Sequence, residues 1–165
     1  MGAFLEIVES VGVSVETTSD TMRVKGAAAG AGAYNACDIR TGPYPELATD
    51  LQPPTSVLLT QARGTSLINE TIFEDRLEWL EELGRMGASV EVLDDHHASV
   101  TGPSKLKGTT VEIGDLRAGA SLILAALAAN GLTTIRGAHH VHRGYENIEA
   151  KFLDLGAKIE RVAEA

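Results

Sequence analysis

Apolar and polar positions along the first forty residues predict one helix and several short strands. Residues 3–11 have the spacing of an amphipathic helix, with apolar positions at Phe4, Leu5, Val8 and Val11. Val13–Glu16 and Met22–Lys25 instead alternate, as the two strands of a hairpin do. Residues 26–33 are only Gly and Ala, which is typical of a flexible connector, and Asp38–Arg40 is predicted as a short strand.

The next sixty residues predict a longer series of elements. A helix should begin at Thr49 or Asp50, with Pro53 and Pro54 in its first turn and Leu51, Val57 and Leu58 on its buried face. A strand at Thr65–Asn69 follows, and then a helix whose inward face carries Leu77, Leu80, Leu83 and Met86. Val90–Leu93 and Ala98–Thr101 complete the series as a second hairpin, turned at Asp94 and Asp95.

The last third of the chain predicts the same order again. The expected elements are a strand at 109–113, a helix at 116–129, a strand at 133–136, a helix with Ile148, Phe152 and Leu155 inward, and a strand at 157–162.

Short motifs repeat at nearly the same interval. Asp115-Leu116 repeats Asp50-Leu51 after 65 positions, and Arg143 repeats Arg76 after 67. Such self-similarity indicates a supersecondary unit used more than once. We interpret 1–165 as one α/β (α+β) domain of βαβαββ units. Its parts are a partial first unit at 3–26, a Gly/Ala linker and loop at 27–47, a second unit at 48–105 and a third at 106–163.

Composition narrows the classes of partner. The 165 residues carry a net charge of −9, which disfavours binding to a phosphate backbone, so nucleic acid is not expected. The longest apolar stretch, 118–129, is shorter than the ~20 residues that span a bilayer, so no membrane span is expected. Cys37 is the only cysteine, which excludes an intrachain disulfide. The cytoplasm is the expected location.

Asp50 and Asp115 occupy equivalent predicted helix starts. Both could be N-caps that accept hydrogen bonds from backbone N–H groups. At least one could also face a cleft and remove a proton from a bound hydroxyl. Spacing leaves both interpretations open.

Three arginines, Arg76, Arg117 and Arg143, stand near predicted helix starts, where a positive charge opposes the helix dipole. Acidic neighbours could neutralise Arg76 and Arg143 on the surface. Alternatively, the three could converge on an anion, since guanidinium groups bind carboxylate and phosphate in a bidentate manner.

The remaining polar clusters are less informative. Solvated turn positions are the simplest interpretation of the histidines, although His140 and His142 could border an anion site. No Cys or carboxylate stands at ligand-like spacing, so a metal site is not expected. Trp79 lies off the main apolar stripe of its helix and is predicted at an edge or interface. The histidines are His96, His97, His139, His140 and His142.

Four motifs resemble the enolpyruvyl transferases, most closely the members that act on UDP-N-acetylglucosamine at the start of peptidoglycan synthesis. They are residues 41–45 (TGPYP) with 48–52 (ATDLQ), then 69–76 (NETIFEDR), 114–118 (GDLRA) and 142–149 (HRGYENIE). The resemblance covers nearly the whole chain but only the C-terminal part of such an enzyme. It implies an inside-out α/β barrel, in which βαβαββ units surround buried helices.

The resemblance also implies roles for individual residues. Asp50 would be the base or hydrogen-bond partner of the sugar 3-hydroxyl, and Ile72 and Phe73 would border the UDP-sugar site. Arg76, Arg117 and Arg143 would be cleft arginines, the latter two binding phosphoenolpyruvate, and Asp115 would support them. No cofactor or metal is implied.

Some features depart from the family. Nothing corresponds to the family's Lys-Asn pair or its cysteine-bearing loop, so Cys37 is interpreted as a structural thiol rather than an acid. Asp75 stands where the family usually has Asn, and Pro53-Pro54 replaces small and polar residues.

These features lead to one main hypothesis and several alternatives. The chain is expected to be the C-terminal domain of a UDP-N-acetylglucosamine enolpyruvyl transferase, inactive or nearly so without the N-terminal domain. The alternatives are a non-catalytic module that binds a UDP-sugar or anion, a scaffold that associates with itself or a partner, and the related enzyme that acts on 3-phosphoshikimate.

Overall fold

A computed structural model describes residues 2–26 and 33–162 of the chain. Most of the Gly/Ala stretch predicted as a connector, residues 27–32, lies outside the described residues. Six helices are described: α1 (Gly2–Val11), α2 (Gln52–Leu59), α3 (Leu80–Arg85), α4 (Leu116–Ala128), α5 (His139–His142) and α6 (Ile148–Asp154). The described strands are β1 (Ser14–Thr17), β2 (Met22–Lys25), β3 (Tyr34–Asn35), β4 (Ile39–Arg40), β5 (Ala62–Asn69), β6 (Ser89–Val92), β7 (His97–Gly102), β8 (Thr110–Glu112) and β9 (Thr134–Arg136).

The predicted first helix and hairpin are confirmed. Val8 and Val11 are the buried positions of α1, and Gly12 follows at φ +106°, a conformation that glycine adopts without strain and that ends the helix. β1 and β2 then pair antiparallel, with Val15 opposite Val24.

The second unit has the predicted order of elements, arranged around β5. β3 and β4 both pair parallel with β5, and β7 pairs antiparallel with its other edge. β6 adds to β7 as the outer strand of the predicted hairpin. β5 is therefore the centre of this sheet, and its last residue, Asn69, lies beside Arg40 of β4.

The third unit is only partly as predicted. β8 and β9 pair in parallel on either side of α4, as expected for a βαβ crossover. The strand predicted at 157–162 is wrong, because this segment has no strand pairing in the structure. Leu155, predicted to face inward, is 82% exposed, so α6 buries Ile148 but not its C-terminal end.

Two helices, α2 and α4, pack against each other and form the centre of the fold. α2 is buried on most sides, including the polar side chains of Gln52, Thr55 and Ser56. These groups bond within the helix: Gln52 Nε2 donates to Ser56 Oγ at 2.8 Å, and Ser56 Oγ donates to the Gln52 carbonyl at 3.0 Å. Local pairing of this kind lets a polar helix occupy an interior position.

The hydrophobic core extends from the central helices to the sheet and to α3. Leu80, Leu83 and Met86 are fully buried, which confirms the predicted inward face of that segment. Trp79 is also part of the core, only 9% exposed, so its prediction at an edge was wrong. Leu77 to Trp79 form turns before α3 starts, and a helical wheel does not describe where such side chains point.

Close packing positions α4 against the third unit. A Cβ at Gly119 would come within 2.5 Å of the Val141 side chain and 2.7 Å of that of Ile113. The absence of a side chain at this position lets α5 approach α4 closely. Within residues 2–26 and 33–162, no helix combines the length and hydrophobicity that crossing a membrane requires.

Candidate functional site

The Asp50 carboxylate is the meeting point of two distant arginines. Arg117 Nε donates to Asp50 Oδ1 at 2.5 Å, and Arg76 Nη1 lies 3.6 Å from the same oxygen. The three residues come from the turn before α2, the loop before α3 and the first turn of α4. We call Asp50, Arg76 and Arg117 the central cluster.

Exposure differs across the central cluster. The side chain of Asp50 is 59% exposed, that of Arg117 37% and that of Arg76 only 19%. A ligand can therefore approach Asp50 and Arg117 from solvent, whereas Arg76 supports them from behind. The cluster carries one more positive than negative charge, which favours an anionic ligand.

Asp50 does not cap α2 as predicted. Thr49–Leu51 form a 3-10 turn, and α2 begins without any side-chain cap. Both predicted caps have other partners: Asp50 binds the arginines, and Thr49 Oγ1 donates to Glu70 at 2.9 Å. Of the two interpretations of Asp50, the geometry supports the one in which its carboxylate faces outward.

Asp115 has the capping role that Asp50 lacks. Its carboxylate accepts hydrogen bonds from Arg117 N at 2.7 Å and Ala118 N at 3.1 Å. An N-cap that holds the first turn of α4 also holds the backbone from which the Arg117 side chain extends. The negative charge offsets part of the unfavourable interaction between Arg117 and the helix dipole.

Phe73 and Ile72 lie beside the central cluster. The Arg76 guanidinium carbon is 4.6 Å from the centre of the Phe73 ring, within the range of a cation–π contact. Both apolar side chains are substantially exposed, Ile72 at 37% and Phe73 at 49%. Asp75, between Phe73 and Arg76, has a positive φ of 57°, a conformation in which Asp and Asn are enriched.

Arg143 is not joined to the central cluster. It follows α5 and is exposed; its backbone N–H donates to the Val141 carbonyl, but its side chain has no hydrogen bond or ion pair among residues 2–26 and 33–162. Its neighbour Gly144 does pack near α4, because a Cβ there would be 2.8 Å from the Leu116 side chain. Arg143 thus belongs to the same end of α4 as Arg117 but has its charge free for solvent or a ligand.

The histidines are more ordered than the sequence predicted. His96 Nδ1 lies 2.7 Å from the Glu70 carbonyl oxygen, and His97 Nδ1 lies 2.8 Å from Asp94 Oδ1. Hydrogen bonds from His96 N and from His97 lower the pKa of Asp94. Both residues lie at the turn of the hairpin, as predicted; His97 is exposed there, whereas His96 is partly buried against the Glu70 carbonyl.

A second histidine cluster belongs to α5. The rings of His139 and His140 have centres 4.1 Å apart, and His142 Nε2 pairs with Glu149 Oε1 at 2.6 Å. The pKa of Glu149 is lowered, mainly by a backbone hydrogen bond and further by His142, although burial acts in the opposite direction. In the described part of the chain, no group of three His, Cys, Asp or Glu side chains is arranged to hold a metal ion.

Cys37 is half-buried and lies away from the central cluster. Burial raises the pKa of its thiol, which opposes formation of the nucleophilic thiolate. Its backbone N–H donates to Ser66 Oγ at 3.1 Å. A structural thiol, as predicted, agrees with these surroundings.

Sequence reasoning overlooked Glu70. Its carboxylate is completely buried and accepts hydrogen bonds from Thr41, Thr49 and the Ile72 backbone. The available signal was an acidic residue directly after a predicted strand, with Thr71 next to it in the chain and Thr49 at the predicted start of a helix. That pattern does not reveal burial, because Glu at a strand end is usually solvated.

Comparisons with known proteins agree with this arrangement. The model of the family described as EPSP synthase (3-phosphoshikimate 1-carboxyvinyltransferase) matches residues 1–152. UDP-N-acetylglucosamine 1-carboxyvinyltransferase 2 of Geobacillus kaustophilus is 45% identical over 154 residues, which are 93% of this chain and 35% of the relative. UDP-N-acetylglucosamine 1-carboxyvinyltransferase of Solibacter usitatus is 45% identical over 163 residues, 98% of this chain and 38% of the relative.

Solved structures show the same fold. The enolpyruvyl transferase NikO from Streptomyces tendae superposes with a TM-score of 0.84 at 31% identity, over 95% of this chain and 35% of that protein. An EPSP synthase from Acinetobacter baumannii shares the fold with a TM-score of 0.59 at 20% identity, over 86% of this chain and 35% of that protein. The predicted fold class is thereby confirmed.

The coverage is one-sided in each case: the chain spans little more than a third of the relatives it matches. Since the family model covers most of the chain and the fold agrees, the chain belongs to the EPSP synthase family of enolpyruvyl (carboxyvinyl) transferases.

Proposed function

We propose that this chain supplies the C-terminal half of the active site of a UDP-N-acetylglucosamine enolpyruvyl transferase, in the cytoplasm, at the start of peptidoglycan synthesis. The observation that carries the proposal is the outward-facing Asp50 carboxylate held between Arg76 and Arg117. The 45% identity to relatives of that name favours the UDP-sugar as acceptor over 3-phosphoshikimate.

The reaction needs a group that removes a proton from the acceptor. The sugar 3-hydroxyl oxygen adds to C2 of phosphoenolpyruvate while a proton adds to C3, and loss of phosphate and a C3 proton restores the double bond. Asp50 is the proposed base or hydrogen-bond partner for the hydroxyl, since its carboxylate is 59% exposed and a carboxylate can remove a proton from a hydroxyl that lies within hydrogen-bond reach.

The reaction also needs fixed positive charge. Phosphoenolpyruvate carries a carboxylate and a phosphate, and the addition intermediate retains both. Arg117, held by Asp50 and by the Asp115-capped backbone, and Arg143, exposed and unpaired within the described residues, are the proposed anion-binding groups. Guanidinium groups fixed before the reaction stabilise such anions without reorganising.

Ile72 and Phe73 are proposed to border the UDP-sugar. Exposed apolar side chains beside a cationic cluster suit a ligand with one flat ring and several phosphate oxygens. Arg76 is proposed to hold Phe73 in place through the cation–π contact and Asp50 through the ion pair.

An assay for phosphate release from phosphoenolpyruvate and UDP-N-acetylglucosamine tests the proposal. The chain is assayed alone and together with the N-terminal part of the Geobacillus kaustophilus relative. We expect activity only in the mixture, because the chain spans about a third of such an enzyme. Replacing UDP-N-acetylglucosamine with 3-phosphoshikimate is the specificity control. Phosphate release with 3-phosphoshikimate but not with UDP-N-acetylglucosamine would contradict the proposal.

Other outcomes correspond to the alternative functions. Binding of UDP-N-acetylglucosamine without activity in either sample supports a non-catalytic binding module. Concentration-dependent self-association without ligand binding, seen by analytical ultracentrifugation, supports a scaffold. Either result would overturn the catalytic proposal.

A further inference from the structure

Glu70 is a carboxylate with no exposed surface, placed directly after the central strand β5. Burying an acidic side chain is costly unless hydrogen bonds replace those made with water. Glu70 meets that requirement with Thr41 Oγ1 at 2.8 Å on Oε1, Ile72 N at 2.9 Å on the same oxygen, and Thr49 Oγ1 at 2.9 Å on Oε2. A well-packed apolar side chain could occupy the same space at no greater cost in folding free energy. The carboxylate therefore has a role other than filling the interior.

Two of the three donors, Thr49 and Ile72, belong to the segments that carry the central cluster. Thr49 directly precedes Asp50, and Ile72 directly precedes Phe73 in the loop that leads to Arg76. Thr41 belongs to the loop after β4 and also holds the second segment, because its hydroxyl accepts from Thr71 N at 2.9 Å. Glu70 thus joins the Asp50 turn to the Phe73 loop.

The backbone of Glu70 is equally constrained. Glu70 N donates to the His96 carbonyl at 2.8 Å, and His96 Nδ1 bonds the Glu70 carbonyl at 2.7 Å. Both carboxylate oxygens and both backbone groups therefore have partners. Because hydrogen bonds fix both the backbone and the carboxylate of Glu70, the positions of its three donors are fixed relative to β5.

The other hydrogen bonds of the Asp50 turn are local. Neither Thr49 nor Asp50 caps α2, and the turn is a 3-10 segment of three residues. Its backbone bonds join it to Ala48 and Gln52, and the Leu51 carbonyl accepts from Thr55 Oγ1 at 2.6 Å. The Thr49 hydroxyl instead joins the turn to Glu70, directly after β5. Without that bond, the position of Asp50 relative to β5 would depend on these local bonds and on its ion pairs with the arginines.

We propose that Glu70 is a positioning residue: through Thr49 it sets the place of Asp50 against Arg117, and through Ile72 it sets the loop that carries Phe73 and Arg76. The inference deepens the proposed function, on which its ligand-binding consequence rests. Its geometric consequence, the order of the Asp50–Arg117 contact, can be measured independently of any ligand.

The first test uses the isolated chain and NMR of the Arg117 Nε–Hε group. Thr49→Ala removes the donor that joins Glu70 to the Asp50 turn, and Thr49→Ser keeps the hydroxyl. Loss of one such hydrogen bond corresponds to about a fivefold effect, so we expect Arg117 Hε to exchange with solvent about fivefold faster in Thr49→Ala. Thr49→Ser should restore the slower exchange.

A matched control removes the hydroxyl of Thr65, a threonine of β5. Thr65 Oγ1 shares a hydrogen bond of 2.9 Å with Thr101 Oγ1 on the exposed face of the sheet, away from Glu70. Thr65→Ala should leave the Arg117 signal unchanged. Unchanged Arg117 exchange in a folded Thr49→Ala chain, or an equal change in Thr65→Ala, would overturn the proposal.

The second test measures binding of UDP-N-acetylglucosamine to the same variants by calorimetry. Thr49→Ala should weaken binding about fivefold, and Thr49→Ser should restore it. Glu70→Gln, which keeps the shape but can use only one side-chain oxygen as acceptor, should alter both readouts in the same direction as Thr49→Ala. If the unaltered chain binds no UDP-sugar, the titration is repeated after addition of the N-terminal part of the Geobacillus kaustophilus relative. Absence of binding in that mixture would overturn the proposed function alone, because the Arg117 signal still decides the role of Glu70.

Discussion

Asp50 accepts a hydrogen bond from Arg117 Nε at 2.5 Å, across 67 positions of the sequence. The two residues come from the corresponding motifs of successive repeats: Asp50 is the first residue of one, before α2, and Arg117 is the third residue of the other, at the start of α4. Because α2 and α4 pack side by side in the centre of the fold, the starts of the two helices meet at one edge. The repeat architecture therefore brings together a carboxylate and a guanidinium group that are too far apart in the sequence for a local motif to join.

The first prediction concerns this contact. Arg117→Ala should weaken binding of phosphoenolpyruvate about 10- to 100-fold in the complemented enzyme, the usual effect of losing a charge-assisted hydrogen bond. Calorimetric titration checks it. Arg85→Ala is the matched control, because Arg85 is exposed and, in the part of the chain that the structure describes, its ion pair is with Glu82 of its own helix. Equal effects of the two substitutions would contradict the assigned role.

The second prediction is that Arg143 contributes to ligand binding but not to the stability of the fold. Its side chain is exposed and has no ion pair within residues 2–26 and 33–162, so Arg143→Ala should change the free energy of unfolding by less than about 0.5 kcal/mol. The same variant should weaken phosphoenolpyruvate binding in the complemented enzyme. Urea unfolding and calorimetry measure the two effects, and unchanged affinity would refute the assignment.

Asp115 should behave as an N-cap. Asp115→Ala leaves the Arg117 and Ala118 N–H groups without their acceptor and should cost about 0.5–2 kcal/mol of folding free energy. Asp115→Asn keeps a capping oxygen and should retain most of that stability. Thermal unfolding of the three proteins checks the order; an Asn variant as unstable as the Ala variant would show that charge, rather than capping, is the main contribution.

Glu149 predicts a specific pH dependence. Its pKa is lowered in the folded chain by backbone hydrogen bonding and by His142, so folding favours its ionised form. That contribution is complete above the ordinary Glu pKa of about 4.3 and is lost as the pH falls through the lowered value. Glu149→Gln should therefore be less stable than the unaltered chain near pH 6, with the difference shrinking towards pH 3. Urea unfolding at several pH values measures it, and a difference independent of pH would show that ionisation is not involved.

Hydrophobic periodicity predicted most elements because each one buries a continuous face. The prediction of α1, of both hairpins and of α4 rested on patterns of two or 3.6 residues that packing then used. Periodicity failed at Trp79, which lies in a turn before α3 and is buried, and at Leu155, which directly follows α6 and is exposed. The segment 157–162 has the apolar alternation of a strand but no pairing partner, and alternation alone does not make a sheet.

The sequence predicted which residues form the candidate site but not which of them contact each other. Repetition and motif resemblance pointed to Asp50, Arg76, Arg117 and Arg143, but Asp50 and Asp115 looked alike as helix caps. Tertiary structure separated them, because Thr49 is drawn to Glu70 and Asp50 to the two arginines, while Asp115 keeps its own backbone donors.

The sequence by itself determined the repeat, most of the order of helices and strands, the family and the chemical groups available for an anion site. These properties depend on local spacing and residue type, which a linear pattern records. Only the tertiary structure decided that Asp50 lies between Arg76 and Arg117, that Arg143 is left unpaired within the described residues, and that Glu70 is buried behind them. Those relationships depend on which distant segments pack together, and the same residue types at the same spacing are compatible with either a solvated ion pair or a buried hydrogen-bonded group.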